Sequence, residues 1–177
     1  MVLEAIKKRQ SVRSYQDKEI PEDILQQVLE AGRLAPSANN KQHWKFIVVK
    51  DKDLRKKLVP ACKNQKFVGE APVVIAGCGT DPDYVMTCGE HSYSIDLSIA
   101  LGYMSLEAAS LGLGTCWIGA FYQDQVKEIL GVPEDVRIVS LMPLGYPEKL
   151  GTKTERKPLS EIVCYDKYSS QTYNYSL

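Results

Sequence analysis

The sequence predicts a single domain in which helices sandwich a sheet of about four strands, of α+β or α/β class. Three observations predict it. Short apolar runs of strand length, at residues 44–49, 72–79, 115–118 and 136–144, alternate with helical patterns. The stretch from Ser92 to Gly114 has only Asp96 and Glu107 as charges and is apolar on nearly every side of a helical wheel. A helix of that kind is buried in a core or a membrane, and the serines at 94, 98, 105 and 110 with Asp96 argue for a core. Finally, the 177 residues contain no internal repeat and no linker, a length suited to one ordinary domain.

Taken in order, residues 2–10 read as a short helix with Val2, Leu3, Ala5 and Ile6 turned inward. Pro21 opens a second helix at its first position, with Glu22 and Asp23 where acids suit the positive end of the helix dipole. Its apolar face is Ile24, Leu25, Val28, Leu29 and Ala31, and it stops before Pro36. Residues 37–43 form a polar loop ahead of the first strand. Residues 51–59 read as a charged surface helix, residues 63–69 have no clear state, and 72–79 is a buried strand followed by a loop over 80–89. The central helix stops at Gly112-Leu113-Gly114, where a left-handed residue is required. The strand at 115–118 ends on Gly119. A helix over 123–130 closes at Gly131 and Pro133, and the last strand closes at Gly145-Tyr146-Pro147. Residues 148–161 form a loop, and the tail from Cys164 carries Tyr165, Tyr168, Tyr173 and Tyr175. A central helix apolar all round suggests that part of the core continues into a second copy.

Lysine plus arginine number 22 and aspartate plus glutamate number 22, a balance that gives no support for a nucleic-acid or anionic-membrane surface. The first residues lack the apolar core of a secretory signal. The five cysteines are odd in number and form no CxxC pair. A cytoplasmic protein without a disulfide framework or metal site is therefore expected, with Cys78 and Cys116 as small buried hydrophobes.

Several residues could carry chemistry. Arg9, Ser11 and Arg13 put two guanidiniums and a hydroxyl within five positions, a set able to converge on one phosphate. Arg156 and Lys157 could reach the same group from the far end of the chain. Alone, each cluster reads equally as a solvated basic segment. Residues 37–42 offer a hydroxyl and three amides, suited to a heterocycle with mixed donor and acceptor edges or to a polyol, and equally to an ordinary turn. Gly77 and Gly79 lack the third glycine of a dinucleotide fingerprint, and there is no Walker loop, HExxH or GxSxG. His43 and His91 are the only histidines. Asp96, inside an apolar helix, must be paired or hydrogen-bonded, so it is expected to hold a neighbouring loop or an arginine.

Six segments together resemble the nitroreductase family of FMN-dependent oxidoreductases over nearly the whole chain. They are residues 9–13 (RQSVR), 35–44 (APSANNKQHW), 71–75 (APVVI), 112–119 (GLGTCWIG), 143–147 (PLGYP) and 156–159 (RKPL). The resemblance implies a three-layer α/β/α sandwich with a mainly antiparallel sheet and a long buried central helix. It implies one FMN-binding domain over residues 1–163, with 164–177 as a tail packing on a partner subunit. It also implies an intertwined homodimer with two FMN sites at the interface. By that resemblance Arg9, Ser11 and Arg156 hold the phosphate, with Gln10 beside them and Lys157 a weaker candidate, and Arg13 lies at the pyrimidine edge. Pro36, Ser37, Ala38, Asn40 and Gln42 come from the other subunit. Asn64 or Gln65 reaches the ring, and Ile118, Gly119 and Ala120 lay backbone against the flavin N5. Two departures stand out: Gln10 occupies a position where a second basic residue is frequent, and His43 replaces the proline common before the tryptophan.

The activity implied is a ping-pong transfer of hydride from NADH or NADPH through flavin N5 to nitroaromatics, quinones or similar small electrophiles. The cofactor carries the chemistry, so no side chain is expected to act as acid, base or nucleophile. Arg13 supplies a fixed cation and Gly119 an N–H. The resemblance leaves open a specialised reductase (dehalogenating or enoate-type) and an FMN storage or electron-carrier protein.

Overall fold

The computed structural model describes residues 2–152 and 154–168. Four strands, β1 (Trp44–Val49), β2 (Val73–Gly79), β3 (Gly114–Thr115) and β4 (Arg137–Gly145), form one sheet in the order β1-β2-β4-β3, antiparallel throughout. The two central strands read as near-continuous apolar runs because both of their faces are covered. On β2, Val73 and Ile75 face one way and Val74, Ala76 and Cys78 the other.

Helices α2 (Glu22–Arg33) and α5 (Ser92–Ser110) cover the first face, packing Leu25, Val28, Leu101 and Met104 on Ile75 and Met142. Helices α3 (Lys52–Ala61), α4 (Phe67–Glu70) and α6 (Gln123–Leu130) cover the second with Leu58, Val68 and Val126. This is the three-layer sandwich the sequence implied. Residues 63–69, unassigned from sequence, supply α4. Gly32 lets α2 and α5 cross closely: a Cβ there would sit 2.0 Å from Met104 Cε.

Helix α5 ends as its glycines require. Gly112 takes φ of +77°, Leu113 N–H donates to Ala108 O at 2.8 Å, and Gly112 N–H donates to Ala109 O at 3.4 Å. These are the paired bonds of a Schellman stop. Gly131 closes α6 in the same left-handed region. The chain before α2 runs along the sheet edge: Ser11 bridges Thr115 in parallel, Tyr15 bridges Pro147, and the Tyr15 hydroxyl donates to Val12 O.

Several sequence expectations are corrected. Pro21 caps α2 rather than opening it. The strand expected at 115–118 pairs regularly only over Gly114–Thr115, with an isolated bridge at Ile118. The loop at 148–161 carries a short helix, α7 (Leu159–Ile162). The first helix, α1, spans only Glu4–Lys8, and Val2, Leu3 and Ile6 are exposed rather than inward, Leu3 by 70%. Helix α5 is buried on one side only. Asp96, Leu97, Ala100, Leu101, Met104 and Ala108 face the core, while Ile95, Ser98 and Tyr103 lie open along a stripe of helical spacing. Among the described residues nothing covers that stripe. Tyr173 and Tyr175 lie outside the described residues. Among the described residues no helix is long and apolar enough to cross a membrane.

Candidate functional site

Arg9, Gln10, Ser11 and Arg13 follow α1 and are pinned by the Ser11–Thr115 bridge and by Val12 N–H donating to Thr115 O at 2.9 Å. Arg156 returns from the far end of the chain, its Nη1 donating to Thr154 O and Thr154 Oγ1. Together they line one cleft of about 510 Å³ with Ile6, Lys7, Thr152 and Thr154. Among the described residues no carboxylate lines this cleft, and Arg9, Arg13 and Arg156 form no ion pair. Guanidiniums left unpaired in a concave site with three hydroxyl-bearing residues form a donor set for a phosphate. Lys157 does not line the cleft.

Cys116 lies buried behind it. Burial pushes the thiol up, while the neighbouring Arg13 and Ser11 side chains pull it down. Reading it as a small hydrophobe gave its burial but not its position against two cofactor candidates. The signal was the parallel spacing of 11–13 and 115–117, which only the sheet-edge pairing makes visible.

From Thr115 the chain leads to Gly119, about 13 Å away if extended. Ile118 and Leu141 exchange backbone bonds of 2.9 and 3.1 Å, and Ser140 Oγ donates to Ile118 O. Beyond that pair Gly119 O accepts from Phe121 N–H at 3.2 Å. Gly119 is exposed, its N–H has no partner among the described residues, and an added Cβ would meet nothing within 4 Å. Gln65 Nε2 donates to Ala120 O at 3.2 Å, so Gln65 joins this edge. Asn64 takes φ of +59° at the turn before it.

The other group sits elsewhere. Asp96, on α5, accepts a 3.0 Å bond from Ala38 N–H, the loop-holding role expected of a buried carboxylate. Ser37 Oγ accepts from Gln42 N–H, and Gln42 Nε2 donates to Asn40. Asn39, Asn40 and Gln42 all take left-handed φ, uncommon for residues other than glycine. Pro36, Asn40 and Gln42 are exposed. His43 Nδ1 lies 3.0 Å from Asp81 Oδ2.

The loop and the cleft therefore stand at opposite ends of α5. Ser105 and Ala109 share a cavity with Arg9 and Gln10. Thirteen residues separate Asp96 from Ala109, or about 20 Å along the helix. Within one chain the structure brings Arg9, Gln10, Ser11, Arg13 and Arg156 together, and Gln65 with Ala120. It does not bring the 36–42 loop to the cleft.

An α/β/α sandwich with an arginine-lined cleft beside its sheet edge and a free Gly119 N–H among the described residues offers a donor set suited to a mononucleotide. The sequence pattern of the nitroreductase family matches residues 6–81 and 60–146, and the chain belongs to that family. It is 39% identical over 157 residues to a Methanothermobacter thermautotrophicus protein provisionally named NADH dehydrogenase/NAD(P)H nitroreductase, covering 86% of this chain and 81% of that one. It is 30% identical over 187 residues to a Bacillus subtilis protein named FMN reductase [NAD(P)H], covering 96% and 75%. Among solved structures, a nitroreductase family protein from Clostridium difficile 630 superposes with a TM-score of 0.84 at 34% identity, covering 95% of this chain and 100% of that one. An FMN-dependent nitroreductase from Clostridium difficile R20291 gives 0.81 at 28%, covering 93% and 98%.

Proposed function

We propose that this chain is an FMN-dependent oxidoreductase driven by NADH or NADPH, and that two copies together complete each cofactor site. The observation that carries the reading is the carboxylate-free cleft in which arginines from both ends of the chain converge. The cofactor and the donor are supported by the family and by the names of the relatives above.

The donor set fits the mononucleotide. Arg9, Ser11 and Arg156 hold the phosphate, with Gln10, Thr152 and Thr154 at its rim. Arg13, beside Cys116, sets a fixed cation at the pyrimidine edge of the ring. Gly119 offers its free N–H, and Gln65 with Ile118 and Ala120 borders the ring. Bound FMN supplies the hydride-accepting and hydride-donating chemistry, from the nicotinamide to a small electron-poor acceptor such as a nitroarene or quinone. The second copy contributes Pro36, Ser37, Ala38, Asn40 and Gln42, which exclude water from the exposed side. The stripe through Ile95 and Tyr103 and the outward residues of α1 provide apolar surface for that second copy. No acid, base or nucleophile is required of the chain.

Purified protein soaked in FMN should turn yellow and scatter light as a dimer. Mixed anaerobically with NADH or NADPH it should bleach, and a nitroarene should restore the colour. A preparation that stays colourless overturns the cofactor assignment. One that stays yellow with both donors overturns the enzymatic reading in favour of storage or electron carriage.

A further inference from the structure

The 36–42 loop is strained despite its own turn. Three of its residues sit in the left-handed region, sparsely populated for residues other than glycine. Such a conformation persists only where surrounding structure fixes it. The internal bonds are those of a 3₁₀ turn over Ala38–Asn40, Asn40 N–H to Ser37 O at 2.9 Å and Lys41 N–H to Ala38 O at 3.1 Å, and those from Gln42 to Ser37 and Asn40. The outward ties come from the alternate residues and end on one short segment. Asn39 Nδ2 donates to the Tyr84 hydroxyl at 2.9 Å. Lys41 Nζ lies 3.5 Å from the centre of the Tyr84 ring. Thr80 N–H donates to His43 O at 3.1 Å, while His43 Nδ1, 3.0 Å from Asp81 Oδ2, forms no hydrogen bond among the described residues.

That segment is itself anchored. Val85 bridges His91, Met86 N–H donates to Glu90 O, and Ser92 N–H, at the start of α5, donates to Tyr84 O at 3.1 Å. One turn further along, Asp96 takes Ala38 N–H. Both supports of the loop thus hang from the first turns of α5, and Tyr84 is the side chain through which the second one acts.

We propose that Tyr84 is a positioning residue for the cofactor-covering loop: its hydroxyl and ring clamp Asn39 and Lys41, so that Asn40 between them, and Ala38 and Gln42 on either side, are presented to FMN. The proposal rests on the cofactor reading above. Tyr84 does not touch the flavin; it acts through its neighbours.

The test uses the full chain reconstituted with FMN. Tyr84→Phe keeps the ring for Lys41 and loses the hydroxyl, whereas Tyr84→Leu loses both. The FMN dissociation constant, read by flavin fluorescence, should rise a few-fold for the first and about tenfold for the second, since a hydrogen bond and an exposed cation–π contact are each modest. Adding Lys41→Met to Tyr84→Leu should cost nothing more. The visible circular dichroism of bound flavin should change in both Tyr84 variants, while the flavin-free unfolding midpoint stays that of the parent. A parent that takes up no FMN overturns the cofactor reading and this proposal with it. A parent that binds FMN while both variants match it overturns this proposal alone. So does an affinity loss that merely tracks a lowered unfolding midpoint, which marks Tyr84 as structural support only.

Discussion

Arg9 forms no ion pair among the described residues, and its energetic weight follows from that. A hydrogen bond to a charged group contributes about 1.5–3 kcal/mol. Arg9→Ala should therefore raise the FMN dissociation constant by one to two orders of magnitude, measured by fluorescence titration, and leave the unfolding midpoint of the flavin-free chain unmoved. Cys62 and Cys78 behave differently. Burial pushes their thiols up to about 12 and about 11 from the ordinary 9.0. Above pH 9.0 the unfolded chain releases protons that the folded chain retains, so stability is present below that pH and is lost as pH rises. Urea midpoints should fall between about pH 9 and about pH 11, and fall less in Cys62→Ala than in the parent. The types of these residues were legible in the sequence. A basic pair with a hydroxyl suggests a phosphate, and a buried aspartate must have a partner. Which partner was not legible: that Asp96 takes Ala38 N–H and that Cys116 meets Arg13 depend on contacts 58 and 103 positions apart.

Among the elements, α5 was the most readable, since its apolar length and its glycine stop are both local signals. Gly112→Ala tests the stop. The position is left-handed, and a Cβ would meet nothing within 4 Å, so the cost is conformational alone, about 1–2 kcal/mol by chemical denaturation. Gly102 is the counter-case on the exposed stripe. It too has open space, but in helical geometry, so Gly102→Ala should stabilise the chain by about 0.5–1 kcal/mol. The short elements were harder to read. α1 was assigned an inward face because Val2, Leu3 and Ile6 are apolar, yet periodicity reports that a face is buried without saying against what. α4, four residues long, is too short to show any period.

At the scale of the whole molecule the order of layers followed from the alternation of strand and helix runs, whereas the antiparallel order β1-β2-β4-β3 did not. Short runs buried on both faces look alike in either direction. The separation of the two proposed cofactor-contacting regions to opposite ends of α5 was implied by the family resemblance, which drew residues 36–42 from the other subunit, and not by any local pattern, because the residues involved lie 23 or more positions from one another along the chain. That separation has a genetic consequence. In the proposed dimer each copy lends its cleft to one flavin and its loop to the other. A copy crippled at Arg9 and a copy crippled at Asn40 are each inert with their own kind. Co-expressed, they form a mixed dimer with one pocket carrying both lesions and one carrying neither, so that dimer, once isolated, should hold half the flavin of the wild type.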